Sequence, residues 1–240
     1  MLSGGTALDA LIADYNVTGD ASLKAIADKL FKGMMLCANC GKTHGFIARA
    51  VSPKDGVSHY TDTSRDQYTH WVYAAIRLYN SSLCDNGQKA HIRRVLVALA
   101  ERCETNVTKE NDYNILRDDG KKGLVGKMWG DIGPHEYLRL PMFYLAAYHV
   151  SGDGHWKEMC FKYRDEALEK SELKENRALY PIREIGEYAS VAALCPKRRV
   201  DEKLLGVLES LAEKIDYKNH YTYAPMLLVS GYKLCLENLN

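Results

Sequence analysis

The chain has 240 residues, 46% of them hydrophobic, which is enough for one domain (1–240) with a sizeable core and argues against disorder. Its 32 basic and 31 acidic side chains give a net charge of +1 without a Lys or Arg block, so nucleic acid is not an expected partner. It has no run of 18 apolar residues and no basic-then-apolar leader. We therefore expect no membrane partner and a cytoplasmic location, or a periplasmic or secreted one if sequence is missing upstream.

Helical periodicity divides the chain into pairs, in which a helix with little charge precedes an amphipathic helix with one charged face. The little-charged helices include 71–76 and 140–147, and the amphipathic helices span 22–36, 88–103, 155–170 and 201–215. A helix that is apolar on all sides is enclosed, whereas a helix with one apolar stripe lies at a surface. The alternation predicts two concentric layers of helices, and so an all-α fold, an α/α toroid of hairpins.

The turns inside the pairs repeat along the chain. Tyr-Asn-Val-Thr-Gly-Asp at 15–20 is echoed by Tyr-His-Val-Ser-Gly-Asp at 148–153, and Tyr79 opens a similar polar turn between them. Gly suits a left-handed backbone at a helix end, and Asp caps the helix that follows. This self-similarity at a long period is typical of repeat folds. A fourth pair at about 184–194 and 201–215, and a last helix at about 221–238, complete the predicted helices.

Two connections between the pairs, 38–63 and 104–134, are far longer than the turns inside them. Because successive helices run antiparallel, both loops are expected on one face, where the inner helices begin. Loops longer than about 12–15 residues in a compact domain are usually functional or disordered. We therefore expect the functional site on this face.

Both long loops place polar and aromatic residues near the start of an inner helix. The first loop and its helix contribute Arg49, His59, Tyr60, Arg65, Asp66 and Tyr68, and the second contribute Trp129, Asp131, His135, Glu136 and Arg139. Aromatic faces contact the C–H surfaces of sugars, while Arg, His and carboxylates bind hydroxyl and acidic groups. This mixture indicates a carbohydrate cleft, although it also fits other polar ligands.

Some of these residues have a structural interpretation as well. Ser64-x-x-Gln67 matches a capping box, and Asp66 in the first turn complements the helix dipole. Trp71 is expected in the core, whereas Trp129, in a loop, is less easily explained by packing. Arg65 and Arg139 have an alternative role as salt-bridge partners of nearby carboxylates.

A cysteine pair offers a further candidate site. Cys37-x-x-Cys40 with His44 nearby has the start of a zinc-binding pattern, but no second pair of ligands follows at zinc-ribbon spacing. Packing at the end of a helix is the favoured role of these cysteines.

The stretch 45–79, with Gly-Phe-Ile-Ala-Arg, Ser-His-Tyr and Ser-Arg-Asp-Gln-Tyr, resembles bacterial glycoside hydrolases of the six-hairpin, (α/α)6-toroid superfamily. Their better-known relatives include unsaturated glucuronyl and rhamnogalacturonyl hydrolases, which use acidic residues at the mouths of inner helices. The resemblance implies Asp66 as the best match, with Asp131 or Glu136 second. At roughly 65 residues per hairpin the chain holds about four and a half hairpins, which predicts an incomplete toroid.

The leading hypothesis is hydrolysis of glycosidic bonds in a poly- or oligosaccharide by paired carboxylates. Asp66 would act as the general acid, and Asp131 or Glu136, across a cleft lined by Arg49, Asp66 and His135, would activate water. Arginines would orient the sugar and aromatic side chains would stack on it: Arg49, Arg65, Arg139, Tyr60, Tyr68 and Trp129. No metal or organic cofactor is required.

Three other functions are compatible with the sequence. The first is a non-catalytic helical scaffold that binds protein partners on a concave surface. The second is a degenerate toroid that binds carbohydrate without cleaving it. The third is a polysaccharide lyase with His59, Tyr60 or His135 as its base.

Overall fold

The computed structural model describes residues 2–171, 188, 191–192 and 206. Over these residues the fold is all-α, as the periodicity predicts. The helices are α1 (Leu2–Thr18), α2 (Leu23–Asn39), α3 (Arg65–Tyr79), α4 (Asn86–Asn106), α5 (Arg139–Ser151) and α6 (Gly154–Lys170), with a 3-10 turn at Pro134–Glu136. The β-structure of the described residues consists of three isolated bridges. The described helices do not combine the length and the hydropathy that a membrane crossing needs.

The chain divides into two compact units, Met1–Lys127 and Met128–Asn240. Unit 1 contains α1 to α4, and the described part of unit 2 contains α5 and α6. Three of the predicted helix pairs are therefore present. The fourth pair (184–194 and 201–215) and the last helix (221–238) lie outside the described residues, apart from the isolated positions given above.

In unit 1, α3 is the enclosed helix. Its side chains from Gln67 to Ile76 are all buried, and Trp71 donates a hydrogen bond to the carbonyl of Met34 in α2 at 3.1 Å. On the other side, Arg77 forms an ion pair of 2.7 Å with the buried carboxylate of Asp9 in α1. By contrast, α1 buries only one stripe, which includes Leu8 and Ile12, although its low charge predicts an inner helix.

In unit 2, α5 is enclosed, whereas α6 packs through one stripe of its side chains. All side chains of α5 from Arg139 to Ala147 are buried, whereas α6 buries four residues, among them Trp156 and Cys160. Tyr144 of α5 stacks on Trp156, with ring centroids 6.0 Å apart. The prediction that α5 is an enclosed helix and α6 a surface helix is thus confirmed.

The burial expected at individual positions agrees with these assignments, with one exception. Trp71, Ala75, Phe143 and Ala147 are fully buried, and Arg93 and Lys157 are exposed on outer helices, as predicted. Lys24 was expected to be exposed but is half-buried, because its ammonium donates to the carbonyl of Leu83 at 2.9 Å. The expected exposure of Glu209 falls outside the described residues.

The two Tyr-x-x-Ser/Thr-Gly-Asp turns share their main hydrogen bonds, although the next helix begins directly after Asp153 in unit 2 and three residues after Asp20 in unit 1. Gly19 and Gly152 have φ of 65° and 74°, and each donates its N–H to the tyrosine carbonyl four residues before it at 2.8 Å. The carboxylates of Asp20 and Asp153 each accept from the N–H two residues later, at 2.8 and 3.0 Å. The sequence repeat therefore corresponds to a repeat of turn geometry, present once in each unit.

Candidate functional site

The two long loops of unit 1 meet at the start of α3. Here loop 1 denotes residues 40–64 and loop 2 denotes residues 107–127. Ser64 pairs with Val125 in a parallel bridge, and the N–H of Arg65 donates to the carbonyl of Val125 at 3.1 Å. The Arg65 guanidinium donates to the carbonyl of Lys127 at 3.0 Å. For this part of the chain, the prediction that the long loops lie together is confirmed.

Asp118 of loop 2 lies at the centre of the contact between the loops. Its buried carboxylate accepts hydrogen bonds from the N–H of Lys42 (3.0 Å), from the N–H and hydroxyl of Thr43 (2.8 and 2.7 Å), and from Nε2 of His59 (3.0 Å). Burial alone would raise the pKa of Asp118, but these donors together lower it to about 2. Asp118 is therefore a fixed negative charge that holds three points of loop 1. No motif in the sequence singles out Asp118.

His59 is part of this contact and not a solvated ligand group. Its Nδ1 lies 2.9 Å from the carbonyl of Val57, and its Nε2 lies 3.0 Å from the carboxylate of Asp118. Both neighbours are acceptors, so the ring satisfies both only as the doubly protonated imidazolium. The predicted roles of His59 in binding sugar or as a lyase base are not supported by this geometry, because both nitrogens are already engaged.

Arg102 of α4 is a second centre of the loop contact. Its buried guanidinium donates to the hydroxyl of Thr43 (3.0 Å), to the carbonyl of His44 (2.9 Å), and to the carbonyls of Leu116 and Arg117. The Thr43 hydroxyl donates in turn to Asp118, so a hydrogen-bonded chain joins Arg102 to Asp118. Arg102 therefore ties both loops to an outer helix.

Other predicted residues of unit 1 occupy different environments. Tyr68 is fully buried and its hydroxyl accepts from the N–H of Ile47 at 3.2 Å, so its ring packs in the core and the predicted stacking role is not supported. Arg49 is half-buried and donates to the carbonyl of Thr63 at 3.2 Å. Tyr60, in contrast, is 76% exposed on loop 1. Of these three side chains, the Tyr60 ring is the most exposed.

Asp66 is half-buried in the first turn of α3. Its backbone carbonyl accepts from Nδ1 of His70 at 2.8 Å. The predicted capping box is absent, because the side chain of Ser64 makes no cap hydrogen bond.

The predicted residues of unit 2 are largely engaged in packing. Trp129 is buried and packs edge-on against Tyr137 and Tyr163, at centroid distances of 5.1 and 4.8 Å, so its predicted stacking on sugar is not supported. Glu136 and Arg139 form a buried ion pair of 2.6 Å.

The remaining two predicted residues of unit 2 differ from these. Asp131 is exposed in a loop. The backbone of His135 lies in the 3-10 turn, and its side chain is outside the described part of the structure.

The cysteine pair packs against loop 1. Cys37 is buried with Phe46 and Ala48, and Cys40 and Val51 pack on this cluster. Burial raises the pKa of Cys37, and burial together with the nearby Cys37 raises the pKa of Cys40 to about 11. A thiol with a raised pKa is a weak nucleophile and a weak metal ligand at neutral pH. The described residues contain no group of three or more His, Cys, Asp or Glu placed to hold a metal ion.

A groove of about 680 Å³ lies between the outer helices α2 and α4. One stripe of α2, with Phe31, Met35 and Leu36, forms its apolar wall, and Gln88 and His91 lie on the α4 side. This volume is within the usual range for ligand sites. The sequence analysis did not identify the groove, because its two walls come from helices about 60 positions apart.

Comparison of the chain with protein-family models, with curated proteins and with solved structures finds no match. The function must therefore be argued from the residues themselves.

Proposed function

We propose that this protein is a carbohydrate-active protein of the α/α-toroid class, in which Asp66 is the general acid. The alternation of enclosed and surface helices supports this class, as does the turn that recurs in both units. The proposed activity is inferred from the position of Asp66. It is a half-buried carboxylate on the first turn of an enclosed helix, at the end where both long loops meet. A general acid donates its proton to the leaving group, and Asp66 is the residue that the resemblance implies for this role.

The second carboxylate is less clearly assigned. Glu136 is committed to its buried ion pair with Arg139, whereas Asp131 is exposed. Removing one partner of a buried ion pair is strongly destabilising, so Glu136→Gln is expected to affect folding first. Asp131 and Glu136 belong to unit 2 and Asp66 to unit 1, so the pairing of the carboxylates stays a prediction.

The test is product analysis after incubation with a panel of neutral and acidic polysaccharides. Hydrolysis is recorded as new reducing ends, and lyase activity as unsaturated products. If Asp66 is the acid, Asp66→Asn should lower the rate about 10²–10⁴-fold. Sugar binding and the melting temperature should remain close to those of the parent protein.

The matched control is Asp14→Asn, which alters an exposed carboxylate on α1. It should leave the rate unchanged. Sugar binding without any hydrolysis would favour the degenerate carbohydrate-binding protein. An Asp66→Asn variant as active as the parent would exclude the proposed role.

A second candidate function, a scaffold that binds a partner protein, is favoured by the groove between α2 and α4. Leu36 lines it and is 50% exposed, and Ile26, on the same helix but outside the groove, is 49% exposed. A photo-crosslinker in place of Lys32, which also lines the groove, would capture a partner that occupies it. Capture of the same protein should be lost in Leu36→Glu and retained in Ile26→Glu. Equal loss in both variants would count against the groove.

A further inference from the structure

The segment 51–59 of loop 1 is a hairpin whose hydrogen bonds are almost all internal. Val51 and His59 form an antiparallel bridge, and Ser52 donates its N–H to the carbonyl of Ser58 at 2.7 Å. The carboxylate of Asp55 accepts from the N–H groups of Val57 and Ser58. Among the described residues, the one hydrogen bond from residues 52–59 to another part of the chain is that between His59 and Asp118.

We propose that the His59–Asp118 pair is a protonation-dependent latch, which holds the 51–59 hairpin on loop 2 while His59 is charged and releases it when His59 is neutral. The latch is independent of the proposed carbohydrate activity.

Two hydrogen-bond acceptors flank the His59 ring, one at each nitrogen. A neutral imidazole has one N–H and one lone pair. With the proton on Nδ1, the Nε2 lone pair faces the Asp118 carboxylate at 3.0 Å. With the proton on Nε2, the Nδ1 lone pair faces the Val57 carbonyl at 2.9 Å. Each neutral tautomer therefore replaces a hydrogen bond by a repulsive contact, in a side chain that is only 10% exposed.

The surroundings of the pair determine the pH at which the latch opens. The hydrogen bond to the Val57 carbonyl raises the pKa of His59, burial opposes it, Asp118 raises the pKa further, and Lys42 lowers it. The Phe46 ring lies 5.7 Å from the imidazole. Two further groups lie near Asp118: Arg102, which is linked to it through the Thr43 hydroxyl, and the thiol of Cys40, whose pKa is raised.

The direction of the pH dependence follows from the raised pKa of His59. A group whose folded-state pKa exceeds its unfolded value stabilises the fold fully below the unfolded pKa, here 6.5. That stabilisation is lost as the pH rises through the folded-state value. The latch is therefore closed below pH 6.5 and opens at a higher pH.

The experiment combines NMR titration of the histidine rings with hydrogen exchange of the 51–59 amides between pH 5.5 and 9. Exchange rates are corrected for the intrinsic effect of pH. The His59 ring should titrate above pH 6.5, and amide protection in 51–59 should fall about tenfold across that titration.

Two variants test the assignment. In His59→Gln, which stays neutral, hairpin protection should be low and independent of pH. His44→Gln alters a more exposed histidine, which pairs with Glu101 at 2.6 Å, and should leave the hairpin response unchanged. A His59 midpoint at or below 6.5, or hairpin protection that stays constant through the His59 titration, would overturn the proposal.

Discussion

Gly45 sits where loop 1 passes close to α4, and it combines two restrictions. Its φ is +67°, and an added Cβ would collide with the backbone carbonyl of Ala98. Gly56 has almost the same φ, +69°, but nothing lies within 4 Å of its virtual Cβ. The two positions therefore separate the effect of backbone conformation from that of close approach.

We expect Gly45→Ala to lower the free energy of unfolding by about 2–5 kcal/mol, since a left-handed alanine costs about 1–2 kcal/mol and overpacking a further 1–3. Gly56→Ala should lower it by only about 1 kcal/mol. Urea denaturation of both variants measures the difference. Equal losses would show that the close approach to Ala98 has no energetic consequence.

For single residues, the sequence predicts which residue types could form a site better than it predicts their burial and contacts. Asp66 is half-buried at the mouth of an enclosed helix, where a candidate acid was expected. Tyr68 and Trp129 were expected to face a ligand but are buried, because a sequence does not reveal which loop residues another segment will cover. Asp118 and Arg102 were missed for a related reason: each has a loop 1 partner that lies 58 or more positions away along the chain.

Among the elements, the recurring turn is the feature that the sequence predicts most completely. In both turns Gly is left-handed and Asp accepts from the N–H two residues later, although Asp153 is the N-cap of α6 whereas the N-cap position of α2 falls on Ser22. These contacts are local. Helix ends that depend on distant contacts are predicted less well. The start of α4 is fixed by a capping box between Asp85 and Gln88, whereas the box expected at Ser64 does not form.

Because the turn is the same in both units, the same substitution should have the same effect in each. Gly19 and Gly152 are left-handed and have open space around the virtual Cβ. We expect Gly19→Ala and Gly152→Ala each to cost about 1 kcal/mol, and the corresponding Asn variants less, since Asn tolerates this conformation. Thermal denaturation followed by circular dichroism measures both. A loss of several kcal/mol at one glycine only would contradict the equivalence of the turns.

For the whole molecule, the His59–Asp118 pair should limit stability on both sides of a pH window. The pKa of Asp118 is lowered from 3.8 to about 2, so its contribution is complete above 3.8 and is lost as the pH falls through about 2. The pKa of His59 is raised, so its contribution is complete below 6.5 and is lost at higher pH. The pair stabilises the fold most between these limits.

We expect the melting temperature of the parent protein, minus that of His59→Gln, to be largest between pH 4 and 6.5 and to decrease above this range. Taking the difference removes the contributions of the other titrating groups. A difference that increases toward pH 9 would contradict the assignment of a charged His59.

On the same scale, the all-α fold and three helix pairs follow from periodicity, because apolar stripes and enclosed helices have distinct patterns. The function follows less directly. The residues that could bind a sugar are of the same types as those that join two loops, and only the fold distinguishes them. The toroid and its carbohydrate chemistry therefore stay predictions.

Two buried cysteines can report when the helices of each unit separate. Burial raises the pKa of Cys103 in α4 and of Cys160 in α6 to about 12, and neither side chain is accessible to solvent in the folded state. A thiol reagent can modify them only after the surrounding helices separate. With the other cysteines replaced, the labelling rates at these two positions would measure the opening rate of each unit separately, without the introduction of a new cysteine.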